Sequence, residues 1–137
     1  MREILYRGKD IAGIWHYGVP LVFTEDFVCI TASHTYNKKV EADTIGQYTG
    51  LCDKNGKKIF EGDILERKAI FEGSKKKFTQ RGYVKYREQW AEFVAINEDG
   101  KRLEFAISKV SVDSKNSKVE IIGNIHDNKL EDFENGC

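Results

Sequence analysis

The chain has 137 residues with 22 basic and 22 acidic side chains, so it can hold an ordinary core as one domain or two very small packed units. The balanced charge excludes the global electrostatic footprint of a histone-like protein, and the 12% aromatic content argues against disorder throughout. Cys29, Cys52 and Cys137 are an odd, widely spaced set, unlike the disulfide framework of a small secreted domain, so reduced thiols in a cytosolic setting are expected. No stretch approaches the roughly 18 apolar residues of a membrane-spanning helix. Residues 1–7 contain no apolar run of signal-peptide length. A soluble, intracellular protein with no membrane partner is expected.

Period-two alternation, not a helical period, dominates the pattern. Residues 4–7 and 14–17 read as short strands around a connection holding Gly8 and Gly13. Val19–Thr24 and Phe27–Thr31 flank Glu25-Asp26, which reads as a tight hairpin turn. Residues 33–43 are polar, with Asn37-Lys38-Lys39 at their centre, and are expected to form a loop before a strand at about Thr44–Thr49. Asp53-Lys54-Asn55-Gly56 marks a second tight turn, because Asn-Gly supplies the positive backbone angles such turns need.

From Gly62 the pattern is more regular. Strands are expected at Asp63–Phe71, Tyr83–Arg87, Ala91–Ile96, Leu103–Ile107 and Lys118–Ile125, with an Asp-Gly hairpin at Asp99-Gly100. Five short strands are the strand count of a small SH3-like barrel, a closure that removes exposed sheet edges. The fold class is therefore mainly β. A single domain over 1–137 is expected, divided into an N-terminal β unit over 1–52, a small barrel over 53–128 and an acidic tail over 129–137. The tail holds the single helix candidate, Asn128–Phe133, with Asn128 as its cap. Ile45-Gly46-Gln47 and Ile122-Gly123-Asn124 echo each other, either as two strands bent at glycine or by chance.

Few residues look like chemistry. Asp53-x-Asn55-Gly56 begins like a calcium loop, but an EF-hand needs glycine at the sixth position, and here it falls at the fourth. Glu61 and Asp63 lie two apart, so on a strand they would share a face and could divide acid and base roles. Without a local His, Ser or Cys, Glu-Gly-Asp reads more simply as the start of a strand. His16, His34 and His126 are scattered, and no pair of close-spaced ligands announces zinc. Gly46-x-x-x-Gly50 lacks the Lys-Ser/Thr of a phosphate loop. No catalytic residue, metal site or cofactor is assigned.

One segment rises above this background. Between residues 66 and 87 stand Arg67, Lys68, Lys75, Lys76, Lys77, Arg81, Lys85 and Arg87, against Glu66 and Glu72 alone. On a strand, Tyr83, Lys85 and Arg87 face opposite to Val84 and Tyr86. An aromatic ring among cations beside a basic loop is what single-stranded nucleic acid binding uses. Lys75, Lys76, Lys77, Arg81, Tyr83, Lys85 and Arg87 are the candidate nucleic-acid contacts. The competing reading is a solvated strand face with a solubilising loop, which the neutral overall charge favours.

The residues that carry a family resemblance are Met1–Lys9, Trp15–Gly18, and above all Thr44-Ile45-Gly46-Gln47-Tyr48-Thr49-Gly50-Leu51 running on through Asp53–Ile64. Glu120–Ile125 followed by Asn128 supplies a closing motif. Together these resemble the YopX family of phage and prophage proteins. Lys129 stands where the family usually has proline, and residues 19–43 carry no motif that aligns. The resemblance implies a β-rich fold, a viral origin and expression in the cytoplasm of a bacterial host, and it implies no known reaction. A non-enzymatic accessory protein is expected, one that binds a second copy of itself or a host or phage protein. Nucleic acid is the alternative partner.

Overall fold

A computed structural model describes residues 4–33, 36–70, 77–96, 103–106 and 119–127. The chain divides into two units, Met1–Gly50 and Leu51–Cys137. All described pairings are antiparallel. Lys75, Lys76, the Asp99-Gly100 turn and the expected Asn128–Phe133 helix lie outside the described residues.

The first unit is built from β1 (Tyr6–Lys9), β2 (Trp15–Phe23), β3 (Phe27–Ser33), β4 (Tyr36–Glu41) and β5 (Gly46–Cys52), the last running past the unit boundary. With the short β6 (Lys58–Phe60) the order across the sheet is β4-β3-β2-β1-β5-β6. The β2–β3 turn forms where Glu25-Asp26 predicts it. Thr24 closes it, its backbone N–H donating to the Phe27 carbonyl at 2.8 Å and its hydroxyl accepting from the Phe27 N–H at 3.0 Å. Contrary to the loop expected over 33–43, residues 36–41 are a strand, and Val40 is its buried anchor.

A 3-10 turn at Ala42–Thr44 then brings the chain back toward β1. The buried Thr44 hydroxyl accepts from the Lys9 N–H at 2.8 Å and donates to the Glu41 carbonyl at 2.6 Å. The sheet curls so far that a methyl group on Gly8 would stand 2.5 Å from Val40 Cγ2. Val28, Ile30 and Val40 fill the inside of the curl, with Ala42 and Ile45 against them. Each fully buried branched side chain of this kind stabilises by about 1.5–3 kcal/mol.

The second unit holds β6 and a five-stranded sheet of β7 (Asp63–Ile70), β8 (Lys77–Arg87), β9 (Glu92–Ile96), β10 (Leu103–Ala106) and β11 (Val119–Asn124). Its order is β10-β9-β8-β7-β11, a four-strand meander with the last strand returning to the free side of the first. All five strands expected in this half are present. β8 pairs with β7 through Lys77–Tyr83 and with β9 through Tyr83–Arg87, so one long strand serves two neighbours in succession. The handover falls at Gly82, where an added Cβ would lie 2.9 Å from the Ile96 carbonyl oxygen. Only glycine permits that backbone approach, and it marks a corner in the sheet. β11 carries a register shift between Ile121 and Gly123.

The core of this unit is Ile59, Leu65, Val84, Phe93, Ala95 and Val119, with Leu51 and Ile121 packed against it. Cross-strand register puts Leu65, Val84, Phe93, Ala95, Val119 and Ile121 on one face of the sheet, and Ile59 and Leu51 pack with them. Ile64, Val94 and Ile96 alternate with them and are also buried, so the middle of the sheet is buried on both faces.

Candidate functional site

Three places bear on function: the turn-rich stretch from Asp53 to Asp63, the cationic face of β8, and the outward face of β2.

Asp53 is fully buried, and backbone amides occupy its carboxylate. Oδ1 accepts from the N–H groups of Asn55 and Lys57, each at 2.9 Å, and Oδ2 accepts from the Ile121 N–H at 3.1 Å. The Lys54 N–H donates to the Val119 carbonyl at 2.9 Å, a second tie between this turn and β11. The calcium-like spelling is thus a side-chain-locked turn. Among the described residues, no group of three or more His, Cys, Asp or Glu side chains is placed to hold a metal ion.

Glu61 does not lie on a strand. It sits with Gly62 in the turn between β6 and β7, so the same-face geometry considered for Glu61 and Asp63 does not arise. Asp63 is buried, and its Oδ2 accepts from the Phe60 N–H at 2.8 Å, closing the turn across which Glu61 lies.

On β8, which begins at Lys77, strand alternation places Arg81, Tyr83, Lys85 and Arg87 on one face. That face is not uniformly cationic. Arg81 stands directly across from Glu66 on β7, and its Nε donates to Glu66 Oε2 at 2.8 Å with both side chains mostly buried. Arg87 is paired in register with Glu92 on β9. Tyr83 is half-buried beside Ile64 and Ile96, its cross-strand partners, and Lys85 is exposed. Arg67 lies on the opposite face, where its Nε donates to Gln80 Oε1 at 2.6 Å and burial of the guanidinium lowers its pKa. Two of the expected contacts therefore have acids as cross-strand neighbours, a pairing visible only once the hairpin register is known.

The β2 face was not singled out by the sequence. Val28, Ile30 and Val40 line the inside of the first unit, and β2 turns His16 and Gly18 toward that side, both buried. Its alternate residues point outward: Tyr17 is 46% exposed, Val19 41% and Leu21 63%. Because β2 is an interior strand of the sheet, this apolar row lies across the middle of an outer face and not along an edge. At its start, half-buried Trp15 is covered by the Arg7 guanidinium, 4.5 Å from the ring centroid, and by Lys9 Nζ at 5.8 Å. Beyond its other end is the Thr24–Phe27 turn, with Glu25 and Asp26 exposed.

His16, on the inner side, lies with Nε2 2.7 Å from Asp10 Oδ2. Asp10 Oδ1 accepts from the N–H groups of Ala12 and Ile14, both at 2.9 Å. The His16 hydrogen bond, followed by that from Ile14, holds the Asp10 carboxyl below the usual aspartate pKa.

Among the described residues, these features define a two-unit antiparallel β protein that carries an exposed apolar strand face, and whose buried carboxylates Asp53 and Asp63 are committed to turns. A family model described as YopX protein matches residues 21–131, and the chain belongs to the YopX family. The match takes in the segment 21–43, where no motif aligned by eye, and begins after the N-terminal residues that carried part of the resemblance. A search among curated proteins found no match.

Proposed function

We propose that this protein is a phage-encoded accessory protein of a bacterial host's cytoplasm that acts without catalysis, as a protein-binding or self-assembling module. The observation that carries this reading is the exposed row Tyr17, Val19 and Leu21 on an interior strand. A contiguous apolar row on an exposed sheet face is a frequent mark of a protein-binding surface. Tyrosine and tryptophan, as at exposed Tyr17 and half-buried Trp15, are among the residue types enriched at protein interfaces. The second unit, in this reading, closes as a small SH3-like barrel and serves as the scaffold.

The test is a photo-crosslinking amino acid placed at Leu21, with Glu88 as an exposed control in the second unit, in host cells carrying the full chain. A discrete protein adduct at position 21 and none at 88 supports the reading. Absence of any adduct at 21 removes it.

The alternative is nucleic acid held on the β8 face, favoured by Tyr83 and exposed Lys85 standing on one side of the strand. Its signature is affinity for single-stranded DNA or RNA that falls steeply with salt and weakens on Lys85→Ala. No binding at low salt ends it.

A further inference from the structure

We propose that Asn55 is a self-modifying site: its side-chain amide is lost through ring closure with Gly56, at a rate that Asp53 controls. Closure is least hindered where glycine follows asparagine, because glycine has no side chain to shield its backbone nitrogen. The Asp53–Gly56 turn presents such a pair to solvent, with Asn55 and Gly56 both exposed. A Cβ built on Gly56 would meet no atom within 4 Å, so water and base have open access there.

The reaction balances with water alone. The Gly56 nitrogen gives its proton to solvent base and attacks Asn55 Cγ. The new N–C bond closes a five-membered succinimide, and the Cγ–Nδ2 bond breaks to release ammonia, which takes a proton from solvent. Water then opens the ring at one of its two carbonyls, leaving aspartate or isoaspartate, with no change of oxidation state. Lys54, Lys57 and Lys58 flank the pair and are all exposed, Lys54 also lying 3.3 Å from Glu120 Oε2. Positive charge nearby favours both the deprotonated nitrogen and the product carboxylate.

Asp53 opposes closure. The Gly56 N–H, whose nitrogen must attack, donates to the Asp53 carbonyl at 3.0 Å. On either side of it, the Asn55 and Lys57 N–H groups donate to Asp53 Oδ1, each at 2.9 Å. A hydrogen bond made by the protonated form disfavours ionisation, so the closed turn holds the nitrogen inactive. An exposed turn opens locally at small free-energy cost, so the reaction is slowed and not stopped.

The consequence reaches β11. Asp53 Oδ2 holds the Ile121 N–H, and the Lys54 N–H donates to the Val119 carbonyl. Isoaspartate routes the main chain through Cβ and Cγ, adding a carbon between the Cα of residue 55 and the Gly56 nitrogen. The N–H groups of residues 55 and 57 then no longer match one carboxylate oxygen, and the carboxylate that positions β11 loses its setting. The turn is a slow clock that loosens the second unit as the chain ages.

Peptide mapping by mass spectrometry of the full chain, aged in mildly alkaline buffer, tests this. Asn135-Gly136 is a second such pair, so the change is assigned to Asn55 by fragment and confirmed with an isoaspartate-specific methyltransferase. Conversion at Asn55 is expected in the folded chain, about ten- to a hundredfold slower than in the urea-unfolded chain. Asp53→Ser, checked by its melt to be folded, should bring the rate close to the unfolded one. Amide exchange at Ile121 should be faster in the isoaspartate form than in fresh protein, a comparison that needs no variant. Asn55→Asp adds the charge but keeps the backbone length, and should leave Ile121 exchange as in fresh protein. An Asn55 that stays intact in the folded chain while the unfolded chain reacts to completion overturns the inference. So does a folded rate that Asp53→Ser leaves unchanged, an isoaspartate form whose Ile121 exchanges as slowly as before, or an Asn55→Asp chain loosened equally.

Discussion

The Asp53 carboxylate accepts a hydrogen bond from the backbone N–H of Ile121, 68 residues further along the chain, at 3.1 Å. With Oδ1 holding the N–H groups of Asn55 and Lys57, one buried side chain fixes both the shape of its own turn and the position of β11. This is why Asp53–Gly56 can be so recognisable without being catalytic. Asp53→Ala should destabilise the second unit by about 2–4 kcal/mol, because three amides lose a charged acceptor in a buried site. Asp53→Asn keeps one acceptor oxygen and should cost less. Denaturant unfolding gives the magnitudes, and amide exchange at Ile121 should accelerate in both variants.

Gly8 and Val40 meet across the curl of the first sheet. Gly8→Ala should destabilise by about 1–3 kcal/mol through overpacking against Val40. Combined with Val40→Ala, the loss should be smaller than the sum of the two single losses, since the shorter side chain makes room. Strict additivity in a double-mutant cycle would show that the two residues do not touch.

Much of this architecture is legible in the chain. The Thr24–Phe27 and Asp53–Gly56 turns, and the five strands of the second half, follow from turn chemistry and alternation. β4 does not, because an edge strand buries few side chains: Val40 is its one buried residue among those described, and Asn37, Lys38 and Lys39 are exposed. Lysines on an edge guard it against unwanted pairing and erase the apolar pattern at the same time. The candidate sites were less legible still. Alternation alone would turn Trp15, Tyr17, Val19 and Leu21 toward a core. The structure reverses this because Gly18, on the inner side, is pressed so closely to β3 that an added Cβ would lie 2.5 Å from the Thr31 carbonyl oxygen. Likewise, Arg81 reads as a free cation until register sets Glu66, fifteen residues earlier, directly opposite it.

The loop from Asp10 to Ile14 should be pH-sensitive with a definite sign. The folded-state pKa of Asp10 is lowered, chiefly by its hydrogen bond with His16, so its ionised form favours the folded state. That contribution is present above the unfolded aspartate value of about 3.9 and is lost as pH falls through the lower folded value. Asp10→Asn should flatten the acid limb of a melting-temperature profile below about pH 4. His16→Ala should move the Asp10 titration midpoint, read by carboxyl NMR, upward toward the ordinary value.

Ala91 ends the 3-10 turn Glu88–Trp90 in the left-handed region, at φ 48°. A side chain there costs about 1–2 kcal/mol that glycine does not incur. Ala91→Gly should therefore raise the unfolding midpoint or leave it unchanged, whereas Ala→Gly at an ordinary strand position lowers it. A clear loss of stability on Ala91→Gly would contradict the assigned backbone.

The most direct test of the central claim, that the β2 face is the contact surface, is an NMR dilution series on the uniformly labelled full chain. The claim predicts concentration-dependent amide shifts concentrated in Trp15–Phe27 and the facing residues of β1, with β8 silent. Shifts concentrated on β8, or spectra that superimpose at every concentration and after addition of any protein captured through Leu21, would contradict it.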